Sequence, residues 1–359
     1  MSIEANARSI WDRLQGSPTV LPTHVPIPQE RVLCSETRLR EPFSPDSHYF
    51  QVRINEMFLS QQRQWFSKFD PFVYVLSQFT YDKAEETVPF IVGPQLLEKT
   101  ANPMRVPTGT LFTNTRVAGI HPYRGGRVVL ALALCQLQRE NYARTVLSMV
   151  EKAAGALDFS NVLSSYLKVS GVILDGLEAL LGVGATKPLI GMRIEFDPDA
   201  GDLFEPCHWL LIDLPSSALP EDRLWVKDGR LKYGPSSSDL SDFHEADYVL
   251  FSVVQSATRG DIRTLPFYPL FETALKEASS PEADSWQRAK AGLSALYQQL
   301  ILSADLTPSH GDALNDQFVA RLKLVRKHVL QNATLGGQDQ LPASVSQRLS
   351  LAARLLDLE

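Results

Sequence analysis

"GIHPYRGGRVVLALALCQL", residues 119–137, runs a histidine, a tyrosine and an arginine past a glycine pair into a long apolar stretch. That stretch decides the fold. Val128, Leu130, Leu132 and Leu134 alternate with Val129, Ala131, Ala133 and Cys135. In a strand these two sets lie on opposite faces. Both sets are apolar, which predicts a strand buried on both sides. One set is large and the other mostly small, so the small face invites a close neighbour. The apolar helix read over 160–181 is the candidate. Gly125-Gly126 predicts a hairpin turn into the strand, with His121, Tyr123 and Arg124 at its shoulder. Those three side chains could form a ligand-contacting loop. The expected role is architectural: turn residues are explained by φ angle and by hydrogen bonds to nearby backbone.

Working outward, five β-like segments fill Tyr49–Leu137, separated by proline, glycine and polar turns. They predict an antiparallel sandwich or a partly open barrel. Residues 16–47 carry Pro18, Pro22, Pro26, Pro28, Pro42 and Pro45, which predict an extended arm. Two helices are expected within 141–182. The second is so apolar that it should be covered on most sides. A second β region runs from Leu189 to Gln255. Within it, "RLWVKDGRLKY" is a hairpin signal, because Asp228-Gly229 suits both positive-φ positions of a type I′ turn. After Leu265 the chain reads helical, with Ser280-Pro281 and Thr307-Pro308 as start signals. The expected fold is therefore α+β. It has an antiparallel β-sandwich-like N-terminal unit, a central helical pair, a second antiparallel sheet and a C-terminal helical bundle. The expected divisions are an N-terminal helix and proline-rich arm (1–47), a β-rich core with inserted helices (48–264), and a helical region (265–359).

Composition narrows the partners. The net charge is −6, which argues against a general nucleic-acid binder. No run of about 18 uncharged apolar residues is present, so no membrane span is expected. Cys34, Cys135 and Cys207 are widely spaced and without a C-x-x-C pair. They read as free thiols in a reducing cytoplasm, and the opening "MSIEANARSIWDRLQ" lacks the apolar core of a signal peptide. Arginine outnumbers lysine by 23 to 12, which points to a bacterial source.

Candidate chemistry is sparse. "DPDAGDLFE" places Asp197, Asp199, Asp202 and Glu205 within one loop, hard oxygens of the kind calcium prefers, though not in EF-hand order. No other cofactor is expected, and the competing reading is a polar turn. Cys207 beside His208, with His244 at a distance, could serve a hydrolase if the groups met in space. Ser165 and Lys168 have the S-x-x-K spacing, but the family's S-D-N and K-T-G partners are missing. "LLGVGATK" lacks the order of a phosphate loop. "RGD" at 259–261 reads as a polar turn. "RLKLVRKHV" at 321–329 reads as a basic helix face placed by the macrodipole. The tail at 342–359 puts Val345, Leu349, Ala352, Leu355 and Leu356 on one helical face behind a glycine linker. With no complete catalytic set, the expected function is a non-enzymatic interaction or scaffold component of a larger assembly. Its partner would be another protein subunit or a second copy. The alternative is the hydrolase, using Cys207 or a divalent metal in the acidic loop.

Overall fold

The computed structural model describes residues 22–33, 41–60, 63–64, 67–93, 110–138 and 186–335. The chain forms an α+β fold of two compact units. A β unit takes the chain to Pro266 together with 304–308, and a helical unit takes the rest from Phe267. The inserted helices expected within 141–182, the S-x-x-K pair, Cys34 and the tail at 342–359 lie outside the described residues.

The deciding stretch is strand β8 (Val128–Gln138), and Val128 to Cys135 are all buried. It pairs with β5 (Ser67–Tyr81) on one side and β9 (Thr186–Phe196) on the other, both antiparallel. Register explains its small face. Cys135 lies opposite Phe72, Ala133 opposite Tyr74 and Ala131 opposite Leu76. Residues directly opposite share a face, so small side chains on β8 leave room beside large ones on β5. The other face sends Leu130, Leu132 and Leu134 into the core with Val73 and Val75. The β5 strand turns back through Asp82 into β6 (Ala84–Val92), and the two-residue β4 (Arg63–Gln64) pairs with its start.

The expected hairpin into β8 does not form. Strand β7 (Thr110–Pro122) pairs with β3 (Tyr49–Phe58), which belongs to a different sheet. The Gly125-Gly126 turn is thus a corner between sheets. Its polar residues do satisfy backbone, as the architectural reading requires. The Tyr123 N–H donates to His48 O, and the Arg124 guanidinium donates to Leu306 O at 2.8 Å and pairs with Asp46 at 2.6 Å. Gly119 is needed for a different reason. Its φ is +92°, and a Cβ there would stand 2.4 Å from Phe50 O.

His121 is not on the shoulder of the turn. It is 3% exposed and stacks on Phe79 at a ring separation of 4.5 Å, with Phe50 and Tyr81 each at 5.9 Å. Burial, helped by the charges of Arg259 and Arg116, pushes its pKa down to about 3, so the imidazole is neutral.

The β unit has three layers. The central sheet runs β1-β10-β14-β3-β7, where β1 is Thr23–Ile27, β10 is Cys207–Ile212 and β14 is Tyr248–Ser256. One of its faces packs on the β5/β8/β9 sheet and forms the large core. The other packs on a small sheet of order β13-β12-β11-β2. Strand alternation serves both cores at once. On β14, Val249, Phe251 and Val253 enter the large core, while Tyr248 and Leu250 enter the second. The two β regions are therefore interleaved by direct strand pairing. The proline-rich stretch contributes β1 as an edge strand on β10, where Pro26 needs no outward donor. Two of its residues, Val32 and Leu33 (β2), pair in parallel with β11 (Leu224–Lys227). The β11–β12 hairpin forms as expected: Lys227 faces Arg230 across Asp228 (φ +52°) and Gly229 (φ +73°), with β12 spanning Arg230–Ser236 and β13 Asp239–Asp242.

One irregularity sets the contact between the central and small sheets. On β14, the consecutive residues Leu250 and Phe251 pair with Glu56 and Ile54, so Asn55 is an extra residue in β3. Such a bulge switches the alternation. Phe50, Val52 and Ile54 face the large core before it, and Met57 and Leu59 face it after. Glu56 is turned away from that core onto the face of the small sheet. There its carboxylate accepts from the Leu231 N–H at 2.7 Å and from Arg230 Nε at 3.2 Å, and is 1% exposed. Burial still raises its pKa, against the pull of the Leu231 N–H and Arg230.

The helical unit contains α1 (Tyr268–Ser279), α2 (Ser285–Ile301) and α3 (Pro308–Leu335). Phe271, Ala274 and Ala278 are buried on α1, and Ala289, Leu296 and Leu300 on α2. Leu314, Phe318, Leu322 and Val325 form the buried stripe of α3 at helical spacing, and Phe318 stacks on Phe271 at 4.1 Å. Pro308 opens α3 as its sequence signal predicts. Ser280-Pro281 instead opens the α1–α2 connection, and α2 begins four residues later at Ser285. Among the described residues, no helix is long and apolar enough to cross a membrane.

Two predictions concern the buried ionisable groups. Because the folded pKa of Glu56 lies above that of an unfolded carboxyl, near 4.3, its contribution is fully present below that value. The contribution is lost as pH rises through the folded pKa. Glu56→Gln keeps an acceptor for Leu231 and removes the titration, so the urea midpoint of the variant should gain on wild type as pH rises from 4 to 8. A constant or shrinking difference would refute this role.

The folded pKa of His121 lies below its unfolded value, so the unfolded chain binds more protons and stability falls as pH drops below about 6.5. His121→Phe should flatten that acid loss. His121→Ala, which empties an aromatic site, should cost about 3 kcal/mol, at least as much as Ala131→Leu at about 1–3 kcal/mol. Chemical denaturation across pH reads both effects.

Candidate functional site

The acidic loop of the β unit folds as a capped turn. Asp197 Oδ1 accepts from the Asp199 N–H at 3.1 Å, Asp202 Oδ2 accepts from the Asp197 N–H at 3.3 Å, and Gly201 closes the turn in the left-handed region. Asp197 is half-buried, whereas Asp199, Asp202 and Glu205 are exposed. Among the described residues, no group of three or more His, Cys, Asp or Glu side chains is arranged to hold a metal ion. The loop is pinned from below by Phe204, which is buried and stacks on Phe43 at 4.3 Å. Its neighbour Leu203 is left 67% exposed.

The structure does not bring the hydrolase residues together. Cys207 starts β10 opposite Val253, and its Sγ points to the carbonyls of His208 and Ile27. Burial and the nearby Glu205 charge push its thiol up to about 12, so the nucleophilic thiolate is scarce. His208 lies opposite Ser252 and faces the other way along the strand. His244 sits beside Phe58, at a ring separation of 5.0 Å, and Phe58 pairs with Tyr248 at the far end of β10, about 17 Å along the strand. The "RGD" tripeptide is closed on itself. Arg259 is buried and makes a two-pronged ion pair with Asp261 at 2.7 and 3.0 Å, and it also donates to Asp305 O. Here the polar-turn reading describes the structure.

Among the described residues, the arrangement best suited to a ligand lies on the helical unit. Trp286, Lys323, Arg326, Lys327, Leu330 and Gln331 line a shallow depression of about 460 Å³. Ser285 and Trp286 open α2, with Ser285 buried beneath. Arg326, more than two turns before the end of α3, donates to Ser280 O at 2.9 Å and Ser285 Oγ at 3.3 Å. This clamp fixes α3 against the α1–α2 connection. Its guanidinium also stands 5.9 Å from the centre of the Trp286 ring, and Lys290 Nζ stands 5.7 Å from it. Both distances are within cation–π range. Lys290, Lys323 and Lys327 are exposed around the ring, and Leu330 is 54% exposed. The result is an apolar floor with a positive rim, suited to an anion that also carries an apolar group.

Only half of this site was visible in the sequence. The basic run at 321–329 is legible there as a helix face placed by the macrodipole. That account is insufficient, because α3 continues to Leu335 and the dipole acts within the last turn. The missed half is W-x-x-x-K at 286–290, whose spacing puts lysine over tryptophan on one helical face. No family model, curated protein or solved structure matches this chain.

Proposed function

We propose that this protein is a non-enzymatic, cytoplasmic interaction component of a larger bacterial assembly. In this reading the depression on its helical unit receives an acidic, apolar-anchored segment of a protein partner. The observation that carries it is Trp286 with both Lys290 and Arg326 within cation–π distance of its ring, and Lys323, Lys327 and Leu330 beside it. A tryptophan fixed by its neighbours loses little freedom on binding and is the residue type most often found at interface hot spots. The lysine rim favours carboxylates. The chemistry-bearing groups of the β unit support the same reading, because Arg259, Glu56 and Cys207 are engaged in internal bonds. A nucleic-acid strand fits less well. Such binders track a charged backbone with several stacking platforms, whereas this site has one ring in a chain of net charge −6.

The test is fluorescence anisotropy with a labelled synthetic peptide of alternating leucine and glutamate, beside a labelled single-stranded oligonucleotide of equal charge. The peptide should bind, and more weakly as salt rises. Trp286→Ala and the double variant Lys323→Glu/Lys327→Glu should each weaken it about tenfold or more, the effect of losing about 1.4 kcal/mol. Equal binding by the variants, or tighter binding of the oligonucleotide, would overturn the proposal.

A further inference from the structure

The structure points to a specific occupant for the depression: we infer that it takes the acidic loop of a second copy of this chain. The inference rests on the reading of the depression as an acceptor for an acidic, apolar-anchored segment, and it names that segment. Leu203 is a large apolar side chain held out in solvent at 67% exposure. Exposed carboxylates surround it in sequence, at Asp199, Asp202 and Glu205. The loop is rigid on both sides of that leucine. The Asp197–Asp202 turn is closed by hydrogen bonds before it, and Phe204 is stacked into the aromatic core after it. A preorganised loop loses little entropy on docking.

The two surfaces answer each other. One offers an apolar anchor ringed by carboxylates. The other is lined by the apolar Trp286 and Leu330 together with Lys323 and Lys327, and Lys290 stands over the tryptophan ring. Other apolar side chains are also exposed, notably Leu302 at 80% and Ile301 at 59%. Their sequence neighbours are Ser303 and Leu300, so they bring no charge to match the rim. Charge complementarity selects Leu203. A single anchor and three charges make a small interface, which predicts weak, salt-sensitive association. The loop and the depression are different surfaces, so the contact can be made twice in a two-fold dimer or repeat head-to-tail into a ring or chain.

Sedimentation velocity of the full chain tests this. Wild type should show concentration-dependent association at low salt that disappears at high salt. Leu203→Asp leaves the turn's hydrogen bonds in place and should weaken association about tenfold or more, as should Lys323→Glu/Lys327→Glu. The decisive arm mixes these two variants. The first keeps an intact depression and the second an intact loop, so the mixture should form a one-to-one complex that neither forms alone. Melting curves of each variant show that it is folded. If the full chain stays monomeric at every concentration while the leucine–glutamate peptide still binds, the self-docking inference is overturned and the depression's role as an acceptor stands. If the peptide also fails, both are overturned. Association that survives in both variants, or a mixture that forms no complex, also overturns it.

Discussion

The carboxylate of Glu56 is the hinge of the architecture. It sits where the central sheet meets the small sheet, accepting from the Leu231 N–H and from Arg230. A carboxylate cannot be placed in a dry apolar core without a large desolvation cost. The extra residue Asn55 avoids that outcome. It turns Glu56 away from the large core and returns Met57 and Leu59 to it. Strand β7 follows with its own irregularity. Asn114 takes a positive φ there and its Oδ1 accepts from Asn55 Nδ2 at 3.4 Å. Two sheets can then use opposite faces of a single strand, and the small sheet gains a polar anchor as well as an apolar one.

Much of the β content was legible from residue patterns, and the reason is local. The alternation of Val128–Cys135 and the Asp228-Gly229 turn depend only on neighbours in sequence. What was not legible is who pairs with whom. Gly125-Gly126 has the composition of a hairpin turn, yet it joins strands of different sheets. Turn chemistry sets the angle of the chain and says nothing of its next partner. His121 was misplaced for a related reason. A polar residue four positions before a glycine pair reads as surface, and only the aromatic rings of β3 and β5, far away in sequence, make it interior. The bulge at Asn55 left no signal in the strand's composition.

The depression on the helical unit was half legible on the same grounds. The cations of α3 follow one another in sequence, while Trp286 reaches them only through helix packing. The Arg326 clamp onto Ser280 and Ser285 is what converts a basic helix face into a shaped site. The chain's acidic balance and its basic depression are compatible, because charge segregated by surface orients encounters even when the total has the opposite sign.

The interleaved central sheet has a consequence for how the chain acquires its structure. Thr23 pairs with Ile212, and Tyr49 pairs with Ser256. The middle layer therefore closes over contacts that are remote along the polypeptide, and closing such loops is entropically slow. During synthesis β3 emerges early and can pair with β7, but the edge that β14 covers stays open until β14 is made. The bulge at Asn55 is useful in that interval as well. A kinked, charged strand is a poor template for the flat edge-to-edge pairing through which waiting strands aggregate. The device that seats Glu56 in the finished protein thus also guards the unfinished one.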